Sequence, residues 1–99
     1  MKVPFRVRRI YFDAIKSGSK TSELRGETPY WMNIARKVQL ELNEGRQVEA
    51  VFVCGKDVLR KNIRCITYHK EAEEILCRPL SEQGLKDVGT GPVIAFHVI

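Results

Sequence analysis

Phe12-Asp13-Ala14-Ile15-Lys16-Ser17-Gly18-Ser19-Lys20-Thr21-Ser22-Glu23-Leu24-Arg25 is the stretch on which the reading of this chain turns. Tyr11, Ala14, Ile15 and Gly18 fall at i, i+3, i+4 and i+7, which predicts a short helix from about 10 to 17. Gly18 is placed to close that helix as a left-handed cap. A strand from Lys20 to Arg25 then leaves the cap. Alternation puts Thr21, Glu23 and Arg25 on one face of it and Lys20, Ser22 and Leu24 on the other. Lys20 and Glu23 therefore share a pocket only where Lys20 belongs to the loop or a bulge intervenes. Gly18-Ser19-Lys20-Thr21 is not a P-loop, because that motif needs a glycine directly before the lysine and Ser19 stands there.

Outward from this stretch, Val3, Phe5 and Val7 alternate with Pro4, Arg6 and Arg8, a half-buried strand whose wet face is basic. Thr28 is placed as a helix N-cap and Pro29 as the first helical residue. Trp31, Ile34, Ala35, Val38 and Leu42 continue at helical spacing, so a helix is expected from about 29 to 43. Val48 to Cys54 reads as a buried strand, Gly55-Lys56-Asp57 as a turn, and Val58 to Tyr68 as a strand pair or a bent strand. Ala72, Ile75 and Leu76 suggest a short helix stopped by Pro79, and Ser81 a further turn carrying Leu85 and Val88. Val93 to Val98 closes as an apolar strand. About five strands with three to four short helices form one α+β domain over residues 1–99, and a small mixed β-barrel with helices packed against it fits this order best.

Composition bounds the function. The 99 residues are 43% hydrophobic and 29% charged, which suits a single globular domain. No apolar run approaches the roughly 20 residues a membrane span needs, and no secretory pattern follows Met1. Cys54, Cys65 and Cys77 are odd in number and form no C-x-x-C pair. They read as small buried thiols in a reducing compartment, so a cytoplasmic location is expected. His69 and His97 are isolated from one another in sequence and read as structural. Neither a metal site nor a cofactor is expected.

The net charge of +5 is unevenly placed. Residues 1–25 hold seven bases and two acids, residues 56–64 four bases and one acid, and residues 71–87 five acids and two bases. If the basic segments meet, one cationic face results, and a polyanion such as nucleic acid is the partner it favours. The expected contacts are Lys20, Thr21, Glu23 and Arg25 around a cleft, with Arg6, Arg8, Arg9, Lys56, Arg60, Lys61 and Arg64 as backbone contacts by charge. Trp31 heads an apolar stripe and belongs to the core. Tyr30, one residue off that stripe, is the stacking candidate, and base stacking is worth about 1–3 kcal/mol per base.

The Gly18-to-Arg25 run, helix–Gly–x–Lys–Thr–x–Glu–Leu–Arg, resembles the signature of the ASCH family, a branch of the PUA-like β-barrel superfamily. Tyr30-Trp31 opening a helix, and Ala50 to Lys56 followed by Ile63 to Ile66, extend the resemblance from about residue 5 to 98. It implies an RNA-binding or nucleotide-sensing module whose cleft is lined by the Lys-Thr-x-Glu-x-Arg strand. One branch is similar to small amidohydrolases acting on acylated cytidine, where a lysine, a threonine three positions on and a distal glutamate form the catalytic group. Lys20 matches that lysine, while Glu23 stands in the threonine's place. A distal carboxylate would come from Glu71, Glu73, Glu74 or Glu82. Hydrolysis of modified cytidine or RNA, with Lys20 as the activated group and Glu23 beside it, is therefore the alternative to RNA binding. Such chemistry needs a neutral amine, whereas Glu23 favours the ammonium. A third reading is a protein adaptor that docks a basic partner through the acidic 71–87 segment.

Overall fold

Two helix caps set the course of the chain. In the computed structural model, which describes residues 1–71 and 91–99, β1 (Lys2–Arg6) leads into α1 (Arg9–Ser17). Gly18 ends α1 at φ 86°, donating its N–H to the carbonyl of Ile15. The next bond, from Lys20 N–H to Ala14 O at 3.0 Å, turns the chain into β2 (Ser22–Gly26). Thr28 then caps α2 (Pro29–Asn43), its Oγ1 accepting from the Trp31 N–H, with Pro29 preset for the first turn. The strands β3 (Val48–Cys54), β4 (Asp57–His69) and β5 (Val93–Val98) follow.

The five strands form one sheet in the order β1-β3-β4-β5-β2. β1 runs parallel to β3, and the other three pairings are antiparallel. Val3, Phe5, Ala50, Phe52, Ile66 and Phe96 share one face, where Phe12 and Ile15 of α1 and Ala35 and Val38 of α2 join them in a single core. Both helices therefore cover the same side of the sheet. Fully burying each of Phe5, Phe52 and Phe96 stabilises the fold by roughly 1.5–3 kcal/mol.

The architecture corrects the expected barrel. The sheet is open: β1 is hydrogen-bonded to β3 and β2 to β5, with no ladder joining β1 to β2. It is nonetheless strongly curled. Strands in a flat sheet are about 4.8 Å apart, so β1 and β5, three places apart, would be separated by roughly three times that. Yet the Phe5 and Phe96 rings meet at 5.1 Å. A side chain spans the remaining seam: Arg25 of β2 donates to the Arg6 carbonyl at the end of β1 at 2.9 Å. There are also two helices among the described residues rather than three to four. The further helical turns expected around Ala72–Leu76 and Ser81–Val88 lie outside the described residues.

β4 is one bent strand, and the bend matters. Its register against β5 shifts between Ile63 and Cys65, leaving Arg64 as the extra residue. One added residue exchanges the faces of everything after it. Ile63 and Ile66 both point into the core, while Cys65, Thr67 and His69 share the outer face with His97.

Candidate nucleic-acid interface

The site is built from Glu23 outward. Glu23 is the one buried charged residue among those described, 6% exposed. It faces inward because its β5 partner is Phe96, on the core side of the sheet. An unpaired carboxylate there would cost several kcal/mol. Two cations offset this. Arg25, on the same face two residues on, donates Nε and Nη2 to Glu23 Oε2 at 3.0 and 2.8 Å. Lys20 Nζ stands 3.4 Å from Oε1. Lys20 precedes β2 and is thus free of the strand's alternation, so it reaches the carboxylate from the loop side.

Backbone geometry fixes Lys20 further. The bond from Val98 N–H to Thr21 O makes Ser22 and His97 a non-hydrogen-bonded pair, so the Ser22 carbonyl turns away from β5. Lys20 Nζ donates to that carbonyl at 2.5 Å and lies 5.7 Å from the Tyr11 ring centroid.

Arg25 is held more firmly. Its guanidinium carbon is 5.0 Å from the Trp31 ring centroid and 5.3 Å from that of Phe5. Those two rings are themselves stacked at 5.3 Å with 4° between their planes. With two bonds to Glu23, one to Arg6 O and two aromatic neighbours, Arg25 fastens the seam and contributes its charge from a fixed position. Tyr30 meets the Trp31 ring edge-to-face at 5.0 Å and is 60% exposed. Trp31 packs against the core, as its place on the helix stripe requires. The Lys20–Glu23–Arg25 group carries one net positive charge against an aromatic wall.

The other expected cations do not converge on this cluster. Thr21 is exposed, and its carbonyl serves the β5 ladder. Arg6 is exposed on the outer face of β1, opposite Val3 and Phe5, so its carbonyl rather than its side chain belongs to the site. Arg8 occupies the N-cap position of α1. Arg9 is paired with Asp57 at 2.6 Å and with Asp13 at 3.6 Å, and the Asp57 hydrogen bond raises its pKa. Lys56 lies exposed in the β3–β4 turn, and Arg64 is exposed at the β4 bulge. Arg60 is exposed, 3.9 Å from Glu49, whereas Lys61, opposite Ala50, lies half-buried on the core side. Basic charge is therefore divided between the two faces of the sheet. Glu71 is exposed; Glu73, Glu74, Glu82 and nearly all of the acidic 71–87 segment lie outside the described residues.

A second polar group went unseen in the sequence. On the outer face, Ser22 Oγ is 2.8 Å from His97 Nδ1, and His97 Nε2 is 2.7 Å from Thr67 Oγ1. Thr67 Oγ1 in turn is 2.7 Å from His69 Nε2. Burial, then the charges of Arg64 and His69, push the His97 pKa below its ordinary value. Only the bulge at Arg64 brings Thr67 and His69 to this face, and no residue pattern in β4 announces it. Among the described residues no group of three metal-ligating side chains forms, and no helix is long and apolar enough to cross a membrane.

Comparison with protein-family profiles, curated proteins and solved structures gives no match to this chain.

Proposed function

We propose that this chain is a small nucleic-acid-binding module that prefers RNA and engages it at the Lys20–Glu23–Arg25 cluster. One observation carries the reading: two cations converge on a single buried carboxylate, leaving positive charge beside an aromatic wall with Tyr30 exposed at its edge. Lys20 supplies the phosphate contact, Arg25 the fixed field, and Tyr30 a ring on which a base stacks. The likeness of Gly18–Arg25 to the ASCH signature supports the same assignment. The hydrolytic alternative is less favoured, because Lys20 Nζ is engaged by Glu23 at 3.4 Å and by the Ser22 carbonyl, whereas a nucleophile must be free to attack. Half-buried free thiols at Cys54 and Cys65 suit a reducing, cytoplasmic setting.

Fluorescence anisotropy with a labelled single-stranded RNA, titrated over salt, tests the proposal. Affinity should fall by about 0.7 log units per log unit of salt for each phosphate neutralised. Lys20→Ala should lessen that slope by roughly one phosphate's share. Tyr30→Ala should weaken binding by roughly five- to 150-fold, the loss of one stacked base. A DNA oligonucleotide of the same sequence should bind more weakly. A flat salt response, or both variants binding as the parent does, overturns the assignment.

A further inference from the structure

The geometry points to Ser22 as a nucleophile on the outer face of the sheet, with His97 as its general base and Thr67 orienting His97, acting on a small acyl ester. This activity is separate from RNA binding and uses the opposite side of β2. Two features support it.

The first is contact. Ser22 Oγ and His97 Nδ1 are 2.8 Å apart, within the reach a nucleophile and its base require. The pairing is set by the ladder, since Ser22 and His97 form a directly opposed, non-hydrogen-bonded pair whose side chains approach closely.

The second is orientation. The Thr67 hydroxyl lies 2.7 Å from both His97 Nε2 and His69 Nε2 and has one proton to give. In one direction of this chain, His97 Nε2–H donates to Thr67 Oγ1 and the Thr67 proton goes to His69 Nε2. Every contact is then satisfied with both rings neutral, and His97 Nδ1 is left as an acceptor for the Ser22 proton. Burial, then the neighbouring Arg64 charge, favours the neutral His97 that this tautomer needs.

The chemistry balances with water as the only co-reactant. Ser22 Oγ bonds to the acyl carbon while its proton passes to His97 Nδ1. The carbon–oxygen bond to the alcohol then breaks, and His97 returns the proton to the leaving oxygen. Water attacks the acyl-serine, its proton again passing through His97, and the carboxylic acid and free Ser22 are released.

A fluorophosphonate probe reads the first half-reaction without RNA, since attack forms a Ser Oγ–phosphorus bond and expels fluoride. Peptide mass mapping of the full chain should place the label on Ser22, and Ser22→Ala should abolish it. His97→Gln should slow labelling by roughly a hundredfold or more, the usual loss of a general base. Thr67→Val should also slow it, and Thr67→Ser should restore it. That rescue separates orientation from mere support of the fold, and it decides the matter if His97→Gln fails to fold. No label on the folded parent, label persisting in Ser22→Ala, or equal rates in Thr67→Val and Thr67→Ser would overturn the inference.

Discussion

The two sides of β2 solve the problem of buried polarity in opposite ways. On the inner side, Glu23 and Arg25 lie opposite Phe96 and Ile94 of β5, and charge is tolerated only because two cations meet one carboxylate against Phe5 and Trp31. On the outer side, Ser22 faces His97, and polarity is satisfied by a hydrogen-bonded chain running through Thr67 to His69. The inner arrangement is electrostatic and depends on its aromatic frame. The outer one is directional and depends on a one-residue bulge. A single strand thus separates an ion-paired cluster from a hydrogen-bonded hydroxyl–imidazole chain by nothing more than the alternation of its side chains.

The sharpest way to break the inner side is to remove its frame. Phe5→Ala deletes a fully buried ring that touches Trp31, Phe52 and Phe96 and underlies Arg25. It should cost about 3–5 kcal/mol in urea unfolding, as large-to-small aromatic substitutions in cores do. Glu23→Gln comes next. It leaves Lys20 and Arg25, each about a quarter exposed, without their shared carboxylate. A loss of about 3 kcal/mol is expected, the lower end for breaking a buried ion pair because both cations keep some water. Ser22→Ala acts on the outer side alone. It should cost about 1 kcal/mol, one hydrogen bond's worth, and leave RNA affinity unchanged.

The smallest effect is a pH dependence confined to the outer side. His97 takes up a proton at lower pH in the folded chain than in the unfolded one, where the ordinary value of about 6.5 holds. The unfolded state therefore binds the proton first on acidification. Stability should decline as pH drops through about 6.5, and the decline should end once pH lies below the lowered folded value. Unfolding curves of His97→Gln against the parent should show that slope diminished in the variant.

Much of this contrast could be read from residues alone. The spacing of Tyr11, Ala14, Ile15 and Gly18 gave α1 and its cap, and Thr28-Pro29 located the start of α2 to the residue. The parity argument for Lys20 and Glu23 also stands: they meet because Lys20 precedes the strand. Sheet closure was not legible, because whether β1 and β2 pair depends on their distance in space, and Arg25 rather than backbone fills that seam. The convergence of basic segments failed for a related reason. Net charge along a chain does not reveal which face each strand turns outward, so Arg6 and Arg60 went to the far side. His69 and His97 looked isolated, 28 positions apart, until the bulge at Arg64 aligned them on one threonine.

The measurement that bears most directly on the central claim is a titration of the ¹⁵N-labelled chain with a short single-stranded RNA, followed by amide chemical shifts. The account predicts that the largest shifts cluster at Lys20, Glu23, Arg25, Tyr30 and Trp31, while Lys2, Arg60 and Thr67 on the outer face move little. Shifts concentrated on Lys2 and Arg60, with Lys20 and Tyr30 unmoved, would contradict it.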